Sequence, residues 1–318
     1  MKLQTQIPLE RAKNPLTYQS KVVLLGSCFA ENIASKLDHY QFQHKQNPFG
    51  ILFQPLAIEN LIARAVADQI YQSHEIFEQD GRWFCFDAHS KVWGETQEAL
   101  LEQLNLRLST TKNGIAEATH ILITLGTAWG YRNKSSQNMV ANCHKVPQKE
   151  FQKELLAIDD IQNSLKHSIE QIQTLNPSAE IIFTVSPVRH LKDGFVENQR
   201  SKAHLISAVH SLLSPRAQSR GHYFESYEIM MDELRDYRFY GKDLVHPNEL
   251  AVDYIWEKFK SVWITADSYP EMEKVDTVQK GLQHRPFHPE SESHQKFEAS
   301  LRSKIAYLKE RYPFMNFG

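Results

Sequence analysis

The sequence has few cysteines and no long apolar run, and each absence argues against a class of protein. Only three of the 318 residues are cysteine, at Cys28, Cys85 and Cys143, and their spacing is not that of a zinc site. The odd number of thiols is typical of a reducing compartment, so we expect a cytoplasmic protein that holds no metal. No run of about 18 apolar residues occurs, so we expect no helix that spans a membrane.

An excess of charge of either sign is also missing. The chain carries 36 lysine and arginine residues against 38 aspartate and glutamate residues, which gives a formal net charge of -2. This balance does not favour binding to nucleic acid or to an anionic membrane. The amino-terminal residues also lack the apolar segment of a signal peptide. With 41% hydrophobic and 23% charged residues, the composition is that of an ordinary globular protein, and it does not indicate an oligomeric state.

One stretch, at residues 25–32, joins an apolar run to a helical pattern. The run at residues 21–25 predicts a buried strand. The apolar residues that follow recur at helical spacing as far as Tyr40. Ser27 therefore lies on a strand-to-helix turn, which Gly26 allows to bend sharply. Its hydroxyl either caps the helix or, beside the unpaired amides of the first helical turn, serves as a nucleophile.

Further apolar runs alternate with helical patterns along the chain. Buried strands are predicted at residues 119–125, 180–185 and 223–226, with a weaker candidate at residues 41–45. Strands that alternate with helices form parallel sheets covered on both faces, so these patterns predict an α/β fold of about five strands. The Asp80-Gly81 pair lies between two short apolar segments and predicts an inserted β-hairpin.

Other segments complete the expected organisation. Residues 131–148 are polar and irregular and predict a long loop, whereas residues 148–175 predict one or two helices. Near the carboxyl end the composition changes to a polar linker, followed by a helix at residues 293–311. We therefore expect an α/β domain over residues 1–265 and a linker-and-helix extension over residues 266–318.

Small and polar residues follow the predicted strands. Ser27 follows the first strand, and Gly126 and Ser186 follow two later ones. The turn at residues 47–50 (Asn47-Pro48-Phe49-Gly50) comes after the weaker strand and is either an ordinary loop or a neighbour of Ser27. Ligands of parallel sheets bind at the carboxyl edge, where all these residues fall. This convergence favours the nucleophile interpretation of Ser27.

Asp243 and His246 form a second constellation, just before a helical pattern that Asn248 is well suited to cap. A serine nucleophile needs a base within hydrogen-bond reach and a group that orients the base. In a tight turn, a spacing of three residues brings the carboxylate to Nδ1 of the imidazole, so that Nε2 can face the serine. The alternative is that Asp243 makes a local turn and His246 is a surface residue.

Together these two constellations resemble the SGNH (GDSL-type) hydrolase superfamily. More closely, residues 26–30 read Gly-Ser-Cys-Phe-Ala, which is similar to the motif that names the GSCFA family, a bacterial group of that superfamily. Over about residues 1–260, further blocks are similar to that family at residues 47–50, 142–145, 186–190 and 243–248. The resemblance implies a flavodoxin-like three-layer α/β/α sandwich. It also implies Ser27 as nucleophile, His246 as base and Asp243 as the acid that orients the base.

The resemblance also implies an oxyanion hole, from which the sequence departs at one place. The usual donors are the nucleophile's amide, a glycine amide after the second strand, and an asparagine side chain. Gly50 corresponds to the glycine, with Asn47 as a neighbouring donor. After the third strand, residues 126–129 (Gly-Thr-Ala-Trp) contain no asparagine, so Thr127 or Asn142 is the candidate replacement. Loss of one such donor lowers the rate by about 10²–10³.

Two cysteines have alternative interpretations. Cys28 lies next to Ser27 near a helix terminus, where thiol pKa values fall, so it is either a rival nucleophile or a buried core residue. Cys143 and His144 either form a metal or thiol site or have no such role. Adjacent residues rarely bind one ion together. We expect no metal there.

Basic and aromatic residues follow the later strands. Arg189, with His190 and Lys192, either receives an anionic group of a substrate or lies in a solvated loop. Trp129 and Tyr131 either stack on a sugar ring or pack within their loop. These residues are candidates for contact with the substrate.

The sequence therefore predicts a serine esterase that needs no cofactor and acts on an ester of a small molecule, including an acyl group on a carbohydrate. An acyltransferase would use the same triad and pass the acyl group to an alcohol. A non-catalytic ligand-binding module with the same fold is the alternative from another class. The missing asparagine favours the binding module, whereas the presence of Ser27, His246 and Asp243 favours the enzyme. The single glycine before Ser27 is not a phosphate-binding fingerprint.

Overall fold

A computed structural model describes residues 4–214, 221–288 and 290–318. A parallel sheet carries helices on both faces, with two small antiparallel sheets outside it. The strands, in chain order, are β1 (Lys21–Gly26), β2 (Gln43–Gln46), β3 (Ile76–Gln79), β4 (Arg82–Cys85), β5 (His120–Leu125), β6 (Trp129–Asn133), β7 (Met139–Val140), β8 (Phe151–Leu155), β9 (Glu180–Val185) and β10 (His222–Phe224). The helices are α1 (Cys28–His39), α2 (Pro55–Val66), α3 (Gln97–Glu117), α4 (Ile158–Leu175), α5 (Phe195–Leu212), α6 (Ser226–Glu228), α7 (Glu249–Trp263), α8 (Tyr269–Gln283) and α9 (Glu292–Arg311).

The central sheet has the strand order β10-β9-β5-β1-β2, and its pairs are parallel. Counted in the order in which the chain reaches them, these strands have the flavodoxin arrangement, in which the direction of winding reverses between β1 and β5. Ligands of such sheets bind at that switch point, outside the carboxyl ends of the strands. The predicted α/β sandwich with a five-stranded parallel sheet is confirmed.

The two faces of the sheet belong to two hydrophobic clusters. Val23 and Leu25 of β1 pack into one cluster with α2, α3, α4 and α5. Val22 and Leu24 pack into the other with α1, α7, α8 and α9. Successive side chains of a strand point to opposite faces, so a strand that is buried on both faces must be continuously apolar. This requirement explains why the central strands were visible in the sequence.

The segment after β5 differs from the prediction. Residues 131–148 were expected to form a loop, but β6, β7 and β8 form a three-stranded antiparallel sheet. The helix expected from residue 148 begins only at Ile158, because β8 occupies the preceding residues. Trp129 of β6 pairs with Leu155 of β8, so this sheet depends on contacts between distant segments. Short polar strands have weak intrinsic preferences, and the sequence pattern therefore did not indicate them.

The inserted hairpin is confirmed. Strands β3 and β4 pair antiparallel, and Asp80 and Gly81 at their turn have φ angles of 53° and 74°. Two positive φ angles are what a two-residue turn of this kind requires, and the Asp-Gly pair supplies them at low cost.

The carboxy-terminal segment contributes two helices to the sandwich. Helix α8 occupies residues that were expected to belong to a linker, and residue 289 of that expected linker lies outside the described residues. Val275 of α8 and Leu308 of α9 are fully buried in the cluster that also contains α1 and α7. Residues 266–318 therefore complete the core on one face of the sheet. Among the described residues, none of the helices combines the length and apolarity needed to cross a bilayer.

Candidate active site

Strand β1 ends in a close approach to β5 that only glycine permits. Gly26 has a φ of +125°, and a Cβ atom built on it would lie 2.1 Å from the backbone oxygen of Thr124. The next amide, that of Ser27, donates to the same oxygen at 2.9 Å. Since a side chain at residue 26 would break this contact, the glycine holds Ser27 at the switch point between β1 and β5.

Ser27 occupies the N-cap position of α1, but its side chain makes no capping hydrogen bond. The side chain is completely buried, and its Oγ has no hydrogen-bond partner among the residues that the structure describes. A buried polar atom without a partner is unfavourable and rare in native proteins, so each such atom needs an explanation. The hydroxyl does not serve the helix as a cap, and it remains able to meet a ligand.

Asp243 and His246 are joined in a tight turn. Oδ2 of Asp243 lies 2.6 Å from Nδ1 of His246, and Oδ1 accepts the backbone amides of Val245 at 2.9 Å and His246 at 3.0 Å. The His246 amide, followed by that of Val245 and by the imidazole, lowers the pKa of Asp243 to about 2. The carboxylate therefore stays ionised at neutral pH and orients the ring with Nε2 on its outer side.

The Asp243–His246 pair lies at the same sheet edge as Ser27. The amide of Arg189, shortly after β9, donates to the oxygen of Val245 at 3.2 Å and so ties this turn to the carboxyl edge. Within the described part of the chain, Ser27 and His246 share no direct hydrogen bond. The serine is fully buried, whereas 54% of the His246 side chain is exposed. The structure thus joins Asp243 to His246 and places Ser27 at the same edge without a hydrogen bond to His246.

Asn47 contacts the backbone beside Ser27. Its amide donates to the oxygen of Leu24, and its Oδ1 accepts the amide of Gly26, both at 2.9 Å. The side chain therefore completes the hydrogen bonding of β1 at the point where β2 ends. Its Nδ2 is buried and has no hydrogen-bond partner in the described ranges. The Asn47 side chain thus holds an amide donor, without an acceptor in the described ranges, beside the backbone of Gly26, the residue that precedes the candidate nucleophile.

Gly50 and Thr127 have their polar groups engaged by protein atoms. The amide of Gly50 donates to the oxygen of Asn47 at 2.8 Å, which closes the turn after β2. The hydroxyl of Thr127 lies 2.9 Å from that of Ser201 and accepts the amide of Trp129 at 3.0 Å. Both residues lie at the carboxyl edge, but reaching a substrate would require them to exchange these partners.

Asn142 and Arg189 have contacts of their own. The Asn142 side chain accepts the amide of His144 at 2.9 Å, and its backbone amide donates to the oxygen of Phe86. The guanidinium of Arg189 donates to the hydroxyl of Tyr240 at 2.7 Å and lies 4.2 Å from the centre of that ring. Arg189 therefore fastens the segment that leads into the Asp243–His246 turn, and its role toward a substrate stays a prediction.

Helix α5 carries three buried polar residues that the sequence analysis did not select. Oδ1 of Asn198 accepts the amide of His190 at 2.8 Å, and Oγ of Ser201 accepts the amide of Ala128 at 2.7 Å. Nζ of Lys202 donates to the oxygens of Gly126 and Ser186, both at 2.7 Å. These residues have helical spacing, so one face of α5 holds the loops after β5 and β9. The detectable signal was a set of polar residues at helical spacing that continues the buried apolar face of α5, which includes Leu205 and Val209.

The alternative sites have little support in the structure. Burial raises the pKa of the Cys28 thiol, which disfavours the thiolate that a cysteine nucleophile needs. Nε2 of His144 lies 2.7 Å from the oxygen of Cys85 and is thus engaged. Across the described ranges, no group of three or more histidine, cysteine, aspartate or glutamate side chains is arranged to hold a metal ion.

A cavity of about 830 Å³ lies between α2, the β3–β4 hairpin and the β6–β7 hairpin. The described residues that line it include Arg64, Asp87 and Arg132, and none of the predicted catalytic or oxyanion residues. Arg64 is engaged there with Glu75 at 2.7 Å. This cavity is therefore separate from the edge at which Ser27 lies.

The family models, and not the solved structures, agree with the motifs. The chain resembles an acetyl xylan esterase (Est2A) from the rumen bacterium Butyrivibrio proteoclasticus at 10% sequence identity and a TM-score of 0.33. That match covers 78% of this chain and 66% of the esterase, just under two thirds of its length. A comparison with curated protein sequences finds no relative. The model of the GSCFA family matches residues 21–259, and that of the GSCFA domain protein, C-terminal domain, matches residues 275–318. With most of its length matched, the chain belongs to the GSCFA family.

Proposed function

We propose that this protein is a serine esterase of the SGNH type, with Ser27 as nucleophile, His246 as base and Asp243 as the group that orients the base. One observation carries the proposal: the Ser27 hydroxyl is buried at the switch point of the sheet without a partner, at the edge that also holds an imidazole oriented by a carboxylate. A merely structural serine at an N-cap would use its hydroxyl for the cap.

The proposed reaction begins when Oγ of Ser27 attacks the ester carbonyl and its proton passes to Nε2 of His246. A bond forms between Oγ and carbon, and the carbonyl electron pair moves onto oxygen. The tetrahedral intermediate then collapses and the bond to the alcohol breaks, while His246 returns the proton to the leaving oxygen. Water attacks the acyl-enzyme by the same route and releases the acid. Asp243 stays ionised throughout and stabilises the imidazolium.

Asn47 supports the oxyanion in this proposal. Its Nδ2 is buried without a partner in the described chain, beside the backbone of Gly26. An amide donor held in a site that excludes water stabilises a developing oxyanion more strongly than water does. The fixed Oδ1 contact leaves Nδ2 as the group that meets the substrate.

Ser27 and His246 share no hydrogen bond in the described part of the unliganded protein. A proton passes between them once they come within hydrogen-bond reach, directly or through one water. Catalytic hydrogen bonds are often long in unliganded proteins and tighten in the complex with substrate. We therefore expect binding of the acyl group to bring the serine and the imidazole into contact.

The proposed substrate is an ester of a small molecule or a carbohydrate. Strand β6 begins shortly after Gly126, and its two aromatic residues, Trp129 and Tyr131, are only partly buried. Lys153 lies 4.5 Å from the centre of the Trp129 ring. Aromatic faces beside polar and charged groups are suited to the apolar face and the hydroxyls of a sugar.

Labelling with a fluorophosphonate and turnover of p-nitrophenyl acetate test the proposal. Ser27→Ala should abolish both, and His246→Gln should reduce turnover nearly as far, because the hydroxyl then stays protonated. The Ser27→Ala/His246→Gln double variant should be little worse than either single variant, since the two residues act as a unit. Cys28→Ala is the matched control and should retain turnover.

Other outcomes separate the alternatives. Turnover that persists in Ser27→Ala and disappears in Cys28→Ala would move the nucleophile by one position. A product that carries the acyl group on an added alcohol, in preference to water, would identify an acyltransferase with the same triad. A wild-type protein that is neither labelled at Ser27 nor active would be a binding module, and the esterase proposal would be abandoned.

A further inference from the structure

His190 is a buried imidazole beside the candidate nucleophile. A Cβ atom built on Gly126 would lie 3.2 Å from Cβ of Ser27 and 3.3 Å from Nε2 of His190. The serine and the imidazole therefore lie against the same face of Gly126. The backbone oxygen of Phe53, 3.0 Å from that built atom, lies there too, so the absence of a side chain at Gly126 is what lets these groups approach one another.

The protein holds this ring in place and leaves one nitrogen without a partner. The backbone amide of His190 donates to Asn198 at 2.8 Å. The imidazole packs nearly perpendicular to the ring of Phe53, with 5.4 Å between the ring centroids. Nε2 of His190 is buried and has no hydrogen-bond partner among the described residues. Since unpartnered buried polar atoms are rare and unfavourable, this nitrogen is suited to a partner that arrives with the substrate.

The surroundings keep the ring uncharged. Burial, followed by the positive charges of Lys202 and His246, lowers the pKa of His190 to about 3, and Asp193 opposes this effect. A ring that resists a second proton is a poor general base at neutral pH. A neutral imidazole still carries one N–H group, and in that state it can donate to a developing oxyanion.

Three of the candidate donors, the amides of Ser27 and Gly50 and the hydroxyl of Thr127, are engaged with protein atoms. The amide of Ser27 donates to Thr124, and that of Gly50 donates to Asn47. The hydroxyl of Thr127 is bonded to that of Ser201. Among the described residues near the serine, Asn47 and His190 retain buried nitrogen atoms without partners.

We propose that His190, as the neutral tautomer protonated at Nε2, donates a hydrogen bond to the oxyanion that forms when Ser27 attacks the ester. In this role His190 replaces the oxyanion-hole asparagine that the sequence lacks, and it acts together with Nδ2 of Asn47. The donor gives up no proton, because the Ser27 proton passes to His246 and the oxyanion returns to a carbonyl when the alcohol leaves. This inference rests on the proposed esterase function.

Two substitutions at residue 190 test the inference in the full-length protein with p-nitrophenyl acetate. His190→Phe keeps the size of the ring and removes the donor, so kcat should fall by about 10²–10³ with little change in KM. His190→Gln places an amide N–H near the position of Nε2 and should recover a measurable part of this loss. His120→Gln is the control, because His120 is also a buried histidine of lowered pKa but lies where β5 begins. It should leave kcat unchanged.

The pH dependence of kcat distinguishes a donor from a base. A donor that stays neutral adds no ionisation to the profile, so His190→Gln should keep the wild-type shape at a lower height. If His190 were the base, the kcat of His190→Gln would fall as far as that of His246→Gln, and its pH profile would lose the acidic limb. That result would overturn the inference and would also move the role of base in the proposed triad from His246 to His190. A wild-type kcat in His190→Phe would overturn the inference and leave the esterase proposal intact.

A direct measurement on the wild type avoids the possibility that a variant fails to fold. A phosphonyl group on Ser27 places a polarised phosphoryl oxygen, a hydrogen-bond acceptor, where the oxyanion would form. The nitrogen-bound proton of His190 should then move downfield in the NMR spectrum of the labelled protein, and the signal should be missing in His190→Gln. An unchanged His190 signal after labelling would refute the donor role. A wild-type protein without Ser27-dependent labelling or turnover would refute both the inference and the esterase proposal.

Discussion

The most demanding prediction concerns Lys202, a lysine that is completely buried beneath the candidate active site. Its Nζ donates to the oxygens of Gly126 and Ser186, and no ion pair with it occurs within the described ranges. Burial lowers the pKa of Lys202 from 10.5 to about 7. The substitution Lys202→Met keeps the length and apolar bulk of the side chain and removes the ammonium group.

The expected effect on stability depends on pH. Between about pH 7 and 10.5 the unfolded chain still holds the Lys202 proton, whereas the folded chain has released it. The unfolded state thus binds more protons in this window, and the free energy of unfolding of the wild type rises with pH. One proton corresponds to a slope of at most about 1.4 kcal/mol per pH unit. Below pH 7 both states hold the proton, and this contribution becomes flat.

Lys202→Met should lose this slope. Near pH 7 two effects oppose each other, because the variant avoids burying a charge but leaves two carbonyl oxygens without their donor, at about 1–3 kcal/mol each. From pH 7.5 to 9.5 the wild type should gain up to about 2–3 kcal/mol over the variant. Urea denaturation across this range measures the difference, and Lys21→Met, at an exposed lysine, is the control for loss of a lysine as such. Parallel pH curves for wild type and Lys202→Met would refute the reasoning.

Three further predictions follow from single contacts. Ser27→Ala removes a buried hydroxyl without a partner in the described chain, so it should raise the free energy of unfolding by about 1 kcal/mol and increase the melting temperature. A lower melting temperature would contradict this reasoning. Gly26→Ala should destabilise by more than about 3 kcal/mol or prevent folding, whereas Gly81→Ala, with no heavy atom within 4 Å of the new Cβ, should cost only about 1 kcal/mol in chemical denaturation. Arg189→Met should lower kcat/KM at unchanged overall stability, since Arg189 holds Tyr240 before the His246 turn; equal activity would separate this contact from catalysis.

Several features could be predicted because they depend on neighbours in the sequence. The strands β1, β5 and β9 are buried on both faces and must be continuously apolar. The hairpin follows from the left-handed backbone that Asp80 and Gly81 accept readily. The contact between Asp243 and His246 closes within one turn of the chain, so the spacing, taken together with the motif at Ser27, could indicate it. For the same reason Asn248 could be predicted as the cap of α7, which it is.

Other features exist only because distant segments meet. The sheet of β6, β7 and β8 depends on pairing across a long excursion, and its short polar strands carry no period that distinguishes them from a loop. Lys202 is separated from Gly126 by β6 to β8, α4, β9 and the first turns of α5, so no local pattern indicates that its ammonium group bonds the Gly126 oxygen. The engagement of the Ser27 amide with Thr124 likewise follows from how closely β1 and β5 approach.

The sequence by itself therefore determined the parallel α/β sheet and the inserted hairpin, because periodicity and turn chemistry act over a few residues. Its resemblance to the GSCFA family selected Ser27 and His246 as the candidate nucleophile and base. The tertiary structure decided which polar atoms near Ser27 remain without partners. It commits the amides of Ser27 and Gly50 to other acceptors, and it leaves Nδ2 of Asn47 and Nε2 of His190 without partners in the described chain. The physical reason is that hydrogen-bond satisfaction and burial depend on all the atoms around a group, and these come from segments that only folding brings together.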